Sequence, residues 1–197
     1  MNALQDLIIS IAIGGIVMGM LLAFNTNIAQ QGSAQTVKIM VQTNLATVTD
    51  LLEFEFRKMG YRVPKSLDSA IVYADSNKIK FKGDIDNNGT IDTLTYYFNT
   101  VSPSGLVNTN TRILYRTWNT QSSKSINLGI TRFRLWYFNA SGNPVTGNPV
   151  ASPSQIKSMK VAINIESTVP YKITTEQYVT KNPGVYWEQT IKPKNLR

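Results

Sequence analysis

The chain has 197 residues, and 20 Lys plus Arg against 12 Asp plus Glu give it a formal net charge of +8. It contains no cysteine and no histidine. The lack of cysteine excludes disulfides, thiolate nucleophiles and iron–sulfur ligands. The lack of histidine removes the commonest general base and the commonest transition-metal ligand. Ser-His-Asp and Cys-His catalysis and nearly all zinc enzymes are therefore excluded, and the length suits one domain with or without an appendage.

The N-terminal part of the chain is almost free of charge. Residues 1–37 contain one charged side chain, Asp6, whereas residues 38–197 carry 20 basic and 11 acidic groups. Residues 7–24 (LIISIAIGGIVMGMLLAF) would form a helix about 27 Å long, close to the roughly 30 Å of bilayer hydrocarbon. A signal peptide or an ordinary anchor would have basic flanking residues, and none is present. We therefore expect a chain whose basic leader has been removed or omitted.

One long helix is predicted from about residue 3 to residue 59, because no proline precedes Pro64 and Gly60 is a natural stop. Its second half has a single apolar face, with spacings of three and four residues. That face consists of Val37, Val41, Leu45, Val48, Leu52, Phe56 and Met59. We expect residues 1–34 to be an apolar half that is buried in a membrane or against other helices, and residues 35–197 to form a globular domain that includes the amphipathic half-helix.

The sequence after Pro64 changes to alternating polar and apolar residues, which is typical of strands. Asn, Ser, Thr, Gly and Pro fill the segments between them, as in turns. The predicted strands are 70–74, 78–82, 93–98, 112–118, 129–138, 158–166, 171–179 and 186–191. Consecutive hairpins favour an antiparallel arrangement. The predicted fold is therefore α+β, with the amphipathic half of the helix packed on an antiparallel β-sheet domain.

One loop has the spacing of a metal site. Residues 84–92 (DIDNNGTID) place side-chain oxygens at positions 1, 3, 5 and 9 of an EF-hand-type calcium loop, with a carbonyl available at position 7. The candidate ligands are Asp84, Asp86, Asn88, Thr90 and Asp92. Position 12 is Thr95, which cannot supply the bidentate carboxylate. A weak, structural Ca²⁺ site is one interpretation, and a tight Asn-Gly hairpin with solvated carboxylates is the other.

Other motifs carry less information. Arg132 and Arg134 alternate with aromatic residues in the segment 129–138, which permits a nucleic-acid interpretation but favours a strand with an aromatic core face and a basic solvent face. The sequence has no carboxylate pair, Gly-rich phosphate loop or nucleophile motif. We therefore expect no enzymatic activity.

Four segments together resemble a known family. An acidic residue directly before an apolar run resembles the mature N-terminus of type IV pilins and type II secretion pseudopilins. The segments 54–63 (FEFRKMGYRV), 81–98 (FKGDIDNNGTIDTLTYYF) and 187–197 (WEQTIKPKNLR) are similar to the helix end, the acidic-loop hairpin and the C-terminal ending of their larger minor members. The resemblance implies a leader cut by a prepilin peptidase, a stage in the bacterial inner membrane, and extraction into an extracellular helical filament.

The resemblance also implies roles for particular residues. Asp6 would neutralise the N-terminal amine of a neighbouring subunit, although the family usually has Glu there. Gly14, Gly15 and Gly19 would mark where the helix melts or packs closely during assembly. The preferred function is a pilus-like filament subunit whose partners are copies of itself, related pilins and the assembly machinery. A type II secretion pseudopilin, or a membrane-anchored adhesin or DNA-capture module, remains the alternative.

Overall fold

The structure, a computed structural model, describes residues 2–64, 69–168 and 182–196. The order of elements is α1 (Ala3–Arg57), β1 (Ile71–Ala74), β2 (Lys78–Gly83), β3 (Asp92–Phe98), β4 (Leu114–Trp118), β5 (Lys124–Ile126), β6 (Ile130–Phe138), a 3-10 turn (Pro153–Gln155), β7 (Ser158–Glu166) and β8 (Gly184–Ile191). The predicted α+β class is confirmed. The strand predicted at 171–179 lies outside the described residues, and β5 was not predicted.

Helix α1 is continuous over 55 residues, about 82 Å, and crosses the expected boundary between residues 34 and 35 without a break. It ends at Arg57, and Gly60 follows with a φ of +76°, as predicted for a helix stop. The Gly60 N–H donates to the Lys82 carbonyl oxygen at 2.9 Å. A Cβ on Gly60 would lie 2.5 Å from the Asn195 carbonyl oxygen. Gly60 therefore allows the helix end to approach both β2 and the C-terminal segment.

The apolar face predicted for the second half of α1 is the face that packs on the β domain. Val41, Val48, Leu52, Phe56 and Met59 are each at most 1% exposed. The four- and three-residue spacing keeps these side chains on one side of a helix with 3.6 residues per turn. The prediction of an amphipathic half-helix buried by its apolar face is confirmed.

The strands form two antiparallel sheets. The first has the order β1-β2-β3-β4-β5 and the second the order β6-β7-β8. In each sheet, strands that follow one another among the described residues pair antiparallel, as expected. The sequence pattern did not show that the chain changes sheets after β5. Backbone contacts join the sheets: the Arg112 N–H donates to the Ile130 carbonyl at 2.7 Å, and the Leu135 N–H donates to the Ser76 carbonyl at 2.9 Å.

A continuous core lies between α1 and the two sheets. Phe56 of α1 makes edge-to-face contacts with Phe81 of β2 and Tyr96 of β3, with ring centroids 5.7 and 5.3 Å apart. The helix also contacts β7 and β8 of the second sheet. In β6, Phe133 is buried while Arg134 is exposed, so the aromatic-core interpretation of that strand is confirmed.

A buried ion pair joins α1 to the first sheet. Glu55 is 2% exposed, and Arg116 of β4 donates to both of its carboxylate oxygens, with Nε at 3.0 and 3.1 Å. The Tyr96 hydroxyl donates to the same carboxylate. Burial, reinforced by the Glu55 charge, raises the pKa of Tyr96 well above its usual value. Glu55 lies seven residues, or about two helical turns, after Val48 and therefore falls on the apolar face of α1. An acidic residue on that face was the sequence signal that could have indicated a buried ion pair.

We expect Glu55→Ala to lower the free energy of unfolding by about 3 kcal/mol, because the half-buried Arg116 would lose its counter-charge and the buried Tyr96 hydroxyl its acceptor. Thermal unfolding of the full-length chain in detergent, followed by circular dichroism, measures the change. The matched control is Glu53→Ala, which breaks the exposed pair with Arg57 (3.1 Å) and should cost at most about 0.5 kcal/mol. Equal losses in the two variants would contradict the role of the buried pair.

Candidate functional site

The first half of α1 is an apolar surface with no cover in the isolated chain. Every residue from 2 to 29 is exposed. The large apolar side chains among them are Leu4, Leu7, Ile8, Ile9, Ile11, Ile13, Ile16, Val17, Met18, Met20, Leu21, Leu22, Phe24 and Ile28. By length and composition, α1 is the one candidate membrane span among the described residues. A helix that is apolar on all sides needs lipid or other helices around it.

Three hydroxyl groups in this half donate to carbonyl groups of the helix itself. The Ser10 and Thr26 hydroxyls donate to the carbonyls of Asp6 and Leu22, four residues earlier, at 2.8 Å each. Ser33 makes the same kind of bond with the Ala29 carbonyl at 2.9 Å. A hydroxyl paired in this way loses no hydrogen bond when water is removed. These three hydroxyls therefore add little cost to burial of the segment in an apolar environment.

The residues singled out for assembly lie on this segment. Asp6 is in the first turn of α1, where the helix dipole favours a carboxylate. At Gly14, Gly15 and Gly19, an added Cβ would meet no atom within 4 Å. Gly15 and Gly19 are one turn apart and leave the backbone of one face open to a neighbouring helix. The assembly roles of these four residues stay predictions.

The acidic segment forms the loop between β2 and β3, as predicted. The pair Gly83–Asp92 closes it, so the loop proper has eight residues and is not a two-residue Asn-Gly turn. One carboxylate oxygen from each of Asp84, Asp86 and Asp92 lies within 4.8 Å of the other two. Asp84 and Asp92 are buried, at 0% and 3% exposure, while Asp86 is exposed. The hairpin thus brings the three predicted carboxylates together.

Asp84 is held at the base of the loop. Its Oδ2 accepts hydrogen bonds from Arg62 Nη1 at 2.8 Å and from the Gly89 N–H at 3.1 Å. Burial by itself raises the pKa of Asp84, but these two bonds, together with the Arg62 charge and the Asn88 N–H, hold the pKa below its ordinary value. Its Oδ1 is buried and has no hydrogen-bond partner among the residues that the structure describes.

The other predicted ligands are ordered by bonds within and beside the loop. Asp92 Oδ1 accepts from Trp118 Nε1 and Asn119 Nδ2, both at 2.9 Å. Asp86 Oδ2 accepts from Asn88 Nδ2 at 2.9 Å, and Asn88 Oδ1 accepts from the Thr90 N–H at 2.7 Å. The carboxylates and the amide oxygen that calcium would use are therefore already gathered in one loop.

Sequence reasoning missed the basic residues that bind this loop to the end of α1. Lys58 Nζ donates to the Ile85 carbonyl, and it lies 3.3 Å from Asn87 Oδ1. Arg62 reaches the loop from the segment just after the helix, where its own φ is +58°. The last turn of a helix is a common place for basic residues that complement the dipole, so the pattern gave no separate signal of a loop contact.

These features define a pilin-like fold: a long N-terminal helix, apolar in its first half, whose second half packs on an antiparallel β domain. Comparison with solved structures gives the same result. The chain is similar to a type IV-like pilin from Thermus thermophilus, with a TM-score of 0.52 and 11% sequence identity, over 79% of this chain and 98% of that one. At this identity the likeness is one of fold. No family model and no curated protein matches the sequence.

Proposed function

We propose that the protein is a structural subunit of an extracellular type IV pilus-like helical filament, and that it assembles through the first half of α1. The observation that carries this proposal is the complete exposure of an apolar helix that is continuous with the helix of the β domain. Each large apolar side chain that leaves water contributes about 1.5–3 kcal/mol. The segment is therefore stable only where lipid or neighbouring helices surround it.

The same segment suits two successive environments. In the bacterial inner membrane, residues 7–24 match the thickness of the hydrocarbon, and the basic β domain lies outside it. Moving from lipid to a filament core gains no further hydrophobic energy, because both surroundings are apolar. Close packing at small residues and pairing of the remaining charge must then supply the specificity. The partners would be copies of this chain, related pilins, the prepilin peptidase and the assembly machinery.

Asp6 is the one charge available for that pairing within residues 1–37. A carboxylate buried without a partner costs several kcal/mol, and an oppositely charged neighbour offsets this cost. The N-terminal amine of an adjacent subunit is a cation of the required kind. The mechanism of the protein is thus assembly and not catalysis. A type II secretion pseudopilin would use the same architecture, and the cellular location of the assembled chain separates the two.

We expect Asp6→Ala to abolish filaments while the β domain still folds, because a carboxylate at this position would set the register between subunits. Electron microscopy of sheared cell-surface material, with mass spectrometry of this chain, measures filament yield. Asp6→Glu keeps the charge and should restore filaments. Wild-type yield from Asp6→Ala would contradict the proposed pairing. Filaments absent from the surface of wild-type cells, with the chain confined to the envelope, would favour the pseudopilin.

We expect Gly15→Leu and Gly19→Leu to reduce filament yield at least about tenfold, because a bulky side chain would keep neighbouring helices from close approach. The matched control is Val17→Leu, which adds one methylene on the opposite side of the helix and should leave the yield unchanged. Immunoblots of membrane and sheared fractions measure the chain before and after assembly. Wild-type yield from both glycine variants would show that the Gly15–Gly19 face makes no close contact with neighbouring helices.

A second candidate function, capture of DNA by a filament-borne or anchored module, is favoured by the outer face of the first sheet. Lys78 lies 5.2 Å from the ring of Tyr73 and 5.9 Å from that of Tyr97, and Tyr97 stacks on Tyr115 with centroids 6.4 Å apart. Lys80 and Lys82 project from the same face of β2, since the intervening side chains are buried. Basic groups and aromatic rings together suit phosphate binding and base stacking.

If this face binds DNA, changing Lys78, Lys80 and Lys82 together to Gln should weaken binding. The slope of the logarithm of the binding constant against the logarithm of salt concentration should become shallower by about three. The control is the triple change of Lys38, Lys192 and Lys194 to Gln, which removes the same charge elsewhere. Fluorescence anisotropy of labelled DNA with the full-length chain in detergent, at several salt concentrations, measures both effects. Equal losses in the two triple variants would indicate only a general effect of net charge.

A further inference from the structure

The β2–β3 loop contacts the end of α1 through several groups and so connects the helix to the first sheet. The Asp84 N–H donates to the Tyr61 carbonyl at 3.0 Å, and Lys58 donates to the Ile85 carbonyl. At Gly83 the backbone of β2 approaches the helix so closely that an added Cβ would lie 2.4 Å from the Lys58 carbonyl oxygen. Any ligand that fixes the loop would therefore also fix the point where α1 leaves the β domain.

The loop brings three carboxylates together, and one of them has a basic partner among the described residues. Asp84, Asp86 and Asp92 present oxygens within 4.8 Å of one another, and of the nearby cations only Arg62 is paired with one of these carboxylates in the described part of the chain. Lys58 instead binds a carbonyl and an amide oxygen. Oxygens that share one Ca²⁺ at 2.3–2.6 Å are at most about 5 Å apart. The observed separation fits that limit.

An independent observation points to a missing ligand. Asp84 is fully buried, and while its Oδ2 accepts two hydrogen bonds, its Oδ1 has none within the described residues. A buried carboxylate oxygen without a partner costs free energy and is rare in folded proteins. Because Oδ2 accepts the Gly89 N–H, the carboxylate lies inside the loop and beside the other acidic groups. A cation there would satisfy the free oxygen.

We propose that this loop binds Ca²⁺ and that the ion links the end of α1 to the first sheet. Asp84, Asp86 and Asp92 supply carboxylate oxygens, Asn88 its amide oxygen and Thr90 its carbonyl. Water completes the six or more ligands on the exposed side of the loop. Hard oxygen donors of this kind select calcium over zinc or copper. In a chain without cysteine, the ion takes the place that a disulfide would hold in a secreted domain.

The loop lacks the bidentate Glu of an EF-hand, and three carboxylates and two neutral oxygens are consistent with an affinity of about 10⁻⁴–10⁻³ M, the range of extracellular modules. Such an affinity would leave the site largely empty inside a cell and filled outside it. The rigid connection between helix and sheet would thus be completed where a filament is exposed to the medium. This inference does not depend on filament formation, because it concerns the fold of the single chain.

Trp118 provides a direct test, because its Nε1 lies 2.9 Å from Asp92 Oδ1. Tb³⁺ added to the full-length chain in detergent should show luminescence on tryptophan excitation, and Ca²⁺ should compete it away. Trp118→Phe should remove most of the luminescence, because it removes the indole beside the loop. A change from EDTA to 5 mM Ca²⁺ should raise the unfolding temperature by roughly 3–8 °C.

The decisive variant is Asp86→Asn, because this exposed ligand can be changed without disturbing the core. It should weaken Ca²⁺ binding at least about tenfold and remove most of the thermal shift. Asp50→Asn, an identical change on the exposed face of α1, should leave both unchanged. Equal unfolding temperatures in EDTA and Ca²⁺, or equal affinities in the two variants, would overturn the proposal. Mg²⁺ at the same concentration should give a smaller shift.

Discussion

The architecture depends on one constraint: α1 is a single helix that must be buried in two different ways. Its second half has one apolar face and is buried by the two sheets of its own chain. Its first half is apolar on all sides, and no part of the described chain covers it. A domain that packs on one side of such a helix would leave its other apolar sides exposed to water. Within the described residues, the chain covers the apolar face of α1 only from about residue 37 onward, and the first half needs lipid or other helices around it.

Charged groups at the C-terminal end of α1 join the helix to the β domain. Glu55 and Arg116 form a buried pair between helix and sheet, and Lys58 and Arg62 hold the β2–β3 loop against the helix end. Apolar packing alone permits a helix to slide or rotate on a sheet, because dispersion contacts are not directional. Charged hydrogen bonds have defined geometry and fix one arrangement.

Much of the fold followed from the sequence. The helix, its apolar face and its end shortly before Gly60 were predicted from periodicity and stop signals, since these depend on local geometry. Most strands were predicted from alternation. The short strand β5 was missed because three residues, two of them exposed, give no alternation to detect. The division into two sheets was also missed, because sheet membership depends on hydrogen bonds between segments distant in sequence, such as Arg112 with Ile130.

The sequence by itself determined that the chain has an uncharged apolar helix with one carboxylate, and that the spacing of its acidic loop suits calcium. Those conclusions need only composition and position along the chain. The tertiary structure decided which oxygens meet, that Asp84 is buried with one of them free, and that Glu55 faces Arg116 across the core. Such pairings arise from the packing of remote segments. Burial makes these interactions important for stability, because the same charges exposed to water would contribute little to the free energy of folding.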